Sequence, residues 1–221
     1  MPTVADLHSH SIYSDGSLTL DSVTETIRNR HLSAFSVTDH DSLEFYSQDI
    51  PPDIKKRLIP GTELSTHFNN QSVHLLVYCS WPIPPTFRKL VKEFASYRKN
   101  RYQRICRDLA KTYPEWNWHI SDQQSNFTSR ALCQFISEKT GNRSLRSIYD
   151  NYLSNINMGY QEFPELSELL LRLKNIDTVK SFIAHPGHRG KTWESFWAQW
   201  KDLGLSGLEL IHPTHKKSLR N

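Results

Sequence analysis

Strand-like runs alternate with helix-like runs along most of this chain, and that rhythm narrows the possible folds more than any other feature. Consecutive βα units build a largely parallel sheet covered by helices. Strands are expected near Thr3 to His8, Ala34 to Thr38, Leu58 to Leu64, Val73 to Cys79, Val179 to Ala184 and Gly207 to Ile211, six in all. After Ser17, Leu20, Val23 and Ile27 recur at three-to-four spacing, which predicts a helix that covers the sheet.

The rhythm is interrupted between the fourth and fifth strands. The proline-rich break WPIPP opens a long stretch, residues 81–175, dominated by helical patterns. It reads as an inserted helical subdomain, with residues 1–80 and 176–221 forming the discontinuous body. Helices are expected from about Phe87 to Thr112, Thr128 to Lys139, Leu145 to Leu153 and Glu165 to Lys174. The first carries Arg98, Arg101 and Arg104 at three-residue spacing, and two readings stay open for them: a solvated basic face or a phosphate grip.

Composition excludes several classes. With 37% hydrophobic residues and 11% aromatics, the chain has the makings of an ordinary packed core. No apolar run approaches the roughly 18 residues of a membrane span. MPTVADLHSH has neither the basic patch nor the apolar core of a signal peptide, so a cytoplasmic location is expected. Cys79, Cys106 and Cys133 are odd in number and far apart, which argues against a disulfide framework or a thiolate zinc site. The net charge of +4 suits an anionic substrate without identifying one.

Eleven histidines are more informative, because imidazole is the commonest transition-metal ligand and several stand beside carboxylates. In DLHSHSIYSDG, His8 and His10 lie two apart at the end of the first strand, so both face the same side. Asp6 shares that side and is expected to orient an imidazole, while Asp15 in the turn before Gly16 is available to a second ion. TDHD after the second strand offers His40 between two carboxylates. PGTELS places Glu63 in an otherwise apolar strand, His74 lies early in the fourth strand, and His185 follows the fifth in AHPGH. Strand C-terminal ends of a parallel barrel converge on one mouth, which would make these distant residues neighbours. His31, His67 and His119 have no such partners and read as scattered.

These segments, in this order and with GLELIHPTH at the end, resemble the polymerase-and-histidinol-phosphatase (PHP) family, in particular its stand-alone phosphoesterases acting on nucleotides and RNA 5′ ends. The resemblance implies an α/β fold, a distorted (β/α)7-type barrel, and two or three divalent ions, commonly manganese, iron or zinc. By that likeness His8, His10 and Glu63 serve one ion, and Glu63, His74 and His185 a second, with Glu63 bridging. Asp15 and His40 serve a third. All seven are thereby candidate catalytic residues. The implied partner is a phosphorylated small molecule, a nucleotide or short RNA, with no membrane and no obligate protein partner.

The sequence departs from the family in two places. Relatives close the barrel with a seventh strand bearing an Asp-x-His motif, whereas this chain stops at LIHPTHKKSLRN, matching the count of six strands. The expectation is a barrel short of its final βα unit, with metal loading and activity impaired unless His212 or His215 compensates, His215 being the first candidate. Where relatives read TRPH, this chain has Ser129, Arg130 and Ala131, so the arginine is shifted by one position. Arg98, Arg101, Arg130 and His215 are the candidate substrate contacts. Two other readings compete: a PHP-fold protein that binds phosphate or nucleic acid without turnover, and an amidohydrolase, whose barrel also begins with HxH.

Overall fold

The computed structural model describes residues 4–116, 127–154, 156, 158–186 and 196–210. Six strands appear among them, close to the expected places: β1 (Ala5–Asp6), β2 (Ala34–Phe35), β3 (Gly61–Phe68), β4 (Gln71–Tyr78), β5 (Lys180–Ile183) and β6 (Gly207–Leu208). β1 pairs with β2 in parallel, and β3 to β6 form a four-stranded sheet in chain order. Parallel bridges Phe35–Leu58 and His40–Glu63 join the two sheets.

The sheet is not uniformly parallel, which corrects the expectation drawn from the alternation. β3 and β4 form an antiparallel hairpin, β4 and β5 are antiparallel, and β5 and β6 are parallel. β4 alone therefore runs against the other strands. Its cause is local: Asn69 and Asn70, at φ of +47° and +59°, make a two-residue turn of the kind that asparagine tolerates and that matches strand twist. A parallel crossover needs a dozen residues or more, and no such length separates these strands.

Among the described residues there are seven α-helices. α1 (Leu20–Asn29) starts at Thr19, whose hydroxyl accepts from Ser22 N in a capping box, and it buries Val23 and Ile27. α2 (Pro52–Lys55) is a single turn. α3 (Pro85–Thr112) begins with a proline in its first turn, where the missing N–H costs nothing. α4 (Ser129–Thr140) is capped by Thr128 and ends at Gly141, whose φ of +71° few other residues adopt. α5 (Leu145–Ile148) runs on into a wider turn at Tyr149–Leu153. α6 (Leu166–Lys174) and α7 (Trp197–Asp202) complete the set.

Packing divides along α3 rather than at residues 81 and 175. The first half of α3, through Phe87, Leu90 and Phe94, joins the sheet core with Leu64, Leu75, Val77 and Ile183. α6 contributes Leu166, Leu169, Leu170 and Leu173 to that same core, although it lies within the stretch read as an insertion. The second half of α3 builds a separate core, in which Ile105 and Leu109 pack with Leu132, Ile136, Ile148 and Leu153. α3 is thus a rigid beam shared by two cores, about 42 Å long at 1.5 Å per residue. All three cysteines are free and buried. No helix of the described residues is long and apolar enough to cross a membrane.

Candidate metal centre

Glu63, on β3, is 1% exposed, and a carboxylate so buried must be compensated by its neighbours. Five imidazoles do this. His74 Nδ1 and His185 Nε2 lie 2.8 and 2.9 Å from Oε1. His8 Nε2, His10 Nε2 and His40 Nδ1 lie 3.2, 3.1 and 3.3 Å from Oε2. Asp15 stands to one side, with Oδ1 3.3 Å from His10 Nδ1 and Oδ2 3.8 Å from His40 Nε2. All seven residues singled out in the sequence therefore share one cluster.

The reversal of β4 explains how His74 gets there. A residue early in a strand running the opposite way lies at the same end as the C-terminal ends of its parallel neighbours. His74 pairs across the hairpin with Ser65, and Ala184 N donates to its carbonyl at 3.0 Å, which brings His185 alongside. His8 and His10 follow β1 and are held by a tight loop, where a Cβ on Gly16 would fall 1.9 Å from the His10 carbonyl oxygen. Only glycine fits there.

The carboxylates flanking His40 do not face the cluster. Asp39 accepts from Ser11 N at 2.7 Å and from the Ser11 and Ser14 hydroxyls at 2.5 Å, and so anchors the loop after His10. Asp41 accepts from Ser65 N and Arg98 Nε, both at 2.7 Å. Asp6 is exposed and does not orient an imidazole, contrary to expectation. That task falls to Glu209, which the sequence reading passed over: Oε1 lies 3.0 Å from His8 Nδ1, and Oε2 accepts from the His185 backbone N–H at 2.6 Å. His185 has a φ of +33°, a conformation that is costly for a residue with a Cβ, and Glu209 clamps it. A glutamate directly after a short strand, in GLEL, was the available signal.

Electrostatics follow from the burial. Burial drives the Glu63 carboxyl upward, but the His40 and His74 rings and the hydrogen bonds from His10 and His185 outweigh it, so its pKa is held well below the usual carboxylate range. His40 goes the other way: burial, reinforced by Arg98, His10 and His74, pushes it well below the ordinary histidine value and keeps it neutral. Burial also opposes charge on His8, yet hydrogen bonds to Glu209 and Glu63 raise it to about 10. His10 is raised for the same kind of reason, with burial opposed by Glu63 and Asp15.

The donor set fits divalent cations. His8 Nε2 and His10 Nε2 are 3.2 Å apart, and three ring nitrogens converge on a single carboxylate oxygen. Atoms bound to one ion at about 2.0–2.2 Å stand about 3.0–3.5 Å from each other. His40 Nδ1 is buried and makes no hydrogen bond. Three overlapping groups have ligand atoms within 4.8 Å of one another: His8, His10 and Glu63; His10, Asp15 and His40; and His40, Glu63 and His74.

The cluster forms one wall of a cavity of about 430 Å³. Arg98, Arg101 and the first residues of α4, Ser129 and Arg130, line the same cavity. Arg98 and Arg101 are 9% and 6% exposed, which rules out a solvated basic face at these two positions. Arg98 pairs with Asp41 at 2.6 Å and donates to Ser65 Oγ at 2.7 Å. Arg101 Nε donates to the Met158 carbonyl at 2.5 Å, and its guanidinium carbon lies 5.5 Å from the Tyr160 ring centre. Arg104 instead pairs with Glu162 and Asp108 outside the cavity. His212 and His215 lie outside the described residues.

No protein-family model matches the chain. Two curated relatives do, the 5′-3′ exoribonuclease Rnm of Salmonella typhimurium and that of Escherichia coli, each 24% identical over 196 residues and 83% of this chain. The chain spans 66% of the length of each. Among solved structures, a protein assigned as a metal-dependent phosphoesterase from Bifidobacterium adolescentis superposes with a TM-score of 0.77 at 19% identity, covering 99% of this chain and 80% of that one. An amidohydrolase from Chromobacterium violaceum, with bound sulfate and no metal, gives 0.76 at 21% identity over 98% and 80%. The chain is thus similar in sequence to a 5′-3′ exoribonuclease and in fold to metal-dependent hydrolases, which supports the resemblance to PHP phosphoesterases that the ordered motifs carry.

Proposed function

We propose that this chain is a metal-dependent phosphoesterase that hydrolyses phosphomonoesters or exposed phosphodiesters of nucleotides or short RNA. One observation carries the reading: the overlapping ligand groups around Glu63 and three arginines, Arg98, Arg101 and Arg130, line one cavity. Divalent ions held by His8, His10, Asp15, His40, Glu63, His74 and His185 would supply charge neutralisation at phosphoryl oxygens and a hydrolytic water at neutral pH. The protein's own part is positional. Glu63 stays ionised and carries the negative charge that makes cation binding favourable. Arg101 and Arg130 offer donors to non-bridging phosphate oxygens, and the start of α4 presents backbone N–H groups to the same anion. Arg98, committed to Asp41, shapes the wall.

The likeness to an amidohydrolase favours a second reading, hydrolysis of an amide or lactone. Against it stand the arginines, suited to an anion, and the absence of lysine from the described cavity lining. The test is phosphate release from a panel of nucleoside monophosphates and 5′-phosphorylated oligoribonucleotides in added manganese, with a panel of amides and lactones in parallel. The expected result is phosphate release that chelation abolishes and Glu63→Gln eliminates. Release indifferent to Glu63→Gln, or turnover of the amide panel alone, overturns the proposal.

A further inference from the structure

Arg101 is a buried cation without an ionic partner. Among the described residues no carboxylate pairs with it, and its hydrogen bond runs from Nε to the Met158 carbonyl. Nη1 and Nη2 have no acceptor among the described residues, and neither is fully enclosed. Burial and, after it, the charge of Arg98 lower the pKa of this guanidinium against opposing pulls from Tyr160, Glu162 and Asp41, so the fold does not favour the charge for its own sake. A structural arginine commits its two terminal nitrogens to carbonyls or carboxylates. Arg101 leaves that fork, which matches an oxyanion bidentately, unengaged on the lining of the metal cavity.

The groups that hold Arg101 belong to a short link fixed at both ends. Met158 packs into the core built on the second half of α3, and Phe163 into the sheet core. Between them Gly159, at φ of +60°, opens a single tight turn, Tyr160–Glu162. The Tyr160 and Phe163 ring centres lie 5.5 and 5.9 Å from the Arg101 guanidinium carbon. Arg104, one turn further along α3, donates from Nε to Glu162 Oε1 at 2.5 Å. The pair lies directly over Gly159, where a Cβ would fall 2.1 Å from Glu162 Oε1 and 2.2 Å from Arg104 Nη2. It thereby ties the turn to the same helix that carries Arg101. We infer that Arg104 and Glu162 are positioning residues: their ion pair fixes the Met158 carbonyl and the Tyr160 ring against Arg101 and so holds its free guanidinium edge ready for an oxyanion in the metal cavity. The inference rests on the phosphoesterase reading only in naming that oxyanion a phosphoryl group.

The experiment titrates inorganic phosphate into the full chain by calorimetry, once with manganese and once with chelator. It compares the parent with Arg101→Ala, Glu162→Gln and Arg104→Gln, and with each pairwise combination of the three. Arg101→Ala is expected to weaken phosphate binding at least about tenfold, as loss of a charge-assisted contact does. Glu162→Gln and Arg104→Gln are each expected to weaken it by about three- to tenfold, and together no more than singly, as residues of one network do. Once Arg101 is alanine, either change should alter affinity by less than about twofold, because both act through the guanidinium. A merely structural pair would weaken phosphate equally with or without Arg101. Melting temperatures of Glu162→Gln and Arg104→Gln should stay within about 4 °C of the parent, as suits a partly exposed pair. If one of the two does not fold, the other carries the same cycle with Arg101→Ala. Parent affinity in the pair variants, an undiminished effect in the absence of Arg101, or a parent that binds no phosphate under either condition overturns the inference. Phosphate binding that follows the cycle, with no ester hydrolysed in any metal, sinks the phosphoesterase reading and leaves the positioning pair standing. Hydrolysis accompanied by an additive cycle does the reverse.

Discussion

Glu209→Gln isolates the contribution of a residue that touches two candidate ligands and sits in none of the three ligand groups. The parent carboxylate has two acceptors, one for the His185 backbone N–H at 2.6 Å and one for His8 Nδ1 at 3.0 Å. Glutamine keeps a single oxygen. A buried backbone N–H left without an acceptor costs about 1–3 kcal/mol, so that oxygen will stay on His185 and turn the amide NH2 toward His8. Facing a donor, His8 Nδ1 must accept, which places the ring proton on Nε2. That nitrogen is the one aimed at Glu63 and His10, and a protonated nitrogen cannot ligate. Loss of an outer partner of a metal-bound histidine typically lowers affinity 10–100-fold, about 1.4–2.7 kcal/mol, and loss of a hydrogen bond to a charged group independently gives about 1.5–3 kcal/mol. The assay is competition for zinc or manganese against a fluorescent chelator, paired with nitrogen NMR of the His8 ring to read its tautomer. Thermal unfolding without metal should shift far less than metal affinity. Unchanged affinity, or a ring that keeps its proton on Nδ1, refutes the reasoning.

Glu63→Gln is expected to weaken metal binding by at least about 100-fold and Asp15→Asn by no more than about tenfold, because Glu63 is 1% exposed and meets five imidazoles whereas the Asp15 side chain is 32% exposed and meets two; equal retention, measured as metal per chain after desalting, contradicts this. Metal loading should release protons. His8, raised to about 10, and His10, also raised, are charged at neutral pH, so apparent affinity climbs with pH by about tenfold per unit for each proton displaced, flattening as pH approaches the raised values. The sign reverses for the metal-free fold: His8 contributes stability that is complete below its unfolded value near 6.5 and lost as pH rises through about 10, which thermal unfolding against pH will show. Arg98→Ala should cost about 3–5 kcal/mol, roughly 10 °C in Tm, by leaving the buried Asp41 unpaired, while adding Asp41→Asn should recover most of the loss; a variant that melts like the parent removes the pair from the stability account.

The strands and the site histidines were legible because each leaves a local mark. His8 and His10 stand two apart at a strand end, and Glu63 interrupts an apolar run, where a carboxylate is too costly to bury without partners. The reversal of β4 was also within reach, since Phe68-Asn69-Asn70-Gln71 carries a two-residue turn and the interval cannot hold a crossover. Arg98 and Arg101 were harder. Three-residue spacing places them on one face of α3, but whether that face meets water or a buried aspartate depends on where β3 lies, and that is a tertiary fact.

The carboxylates show most plainly why the remainder stayed hidden. Asp39, Asp41, Glu63 and Glu209 all lie in histidine-bearing segments, and residue type and spacing give them equal standing as ligands. Their contacts separate them. Asp39 has both oxygens engaged by Ser11 and Ser14, and Asp41 has both engaged by Ser65 N and Arg98, so each is tied to N–H and O–H donors rather than to the imidazoles. Glu209 is divided between a ring nitrogen and a backbone N–H, which makes it a clamp. Glu63 alone is met only by imidazoles, groups that can surrender a proton and turn a lone pair toward an ion. A carboxylate surrounded by N–H groups that cannot be deprotonated is structural, whereas one surrounded by titratable rings is poised to exchange protons for metal. By that criterion the candidate metal centre turns on Glu63, and the Asp39 and Asp41 contacts hold the loops that carry the rings around it.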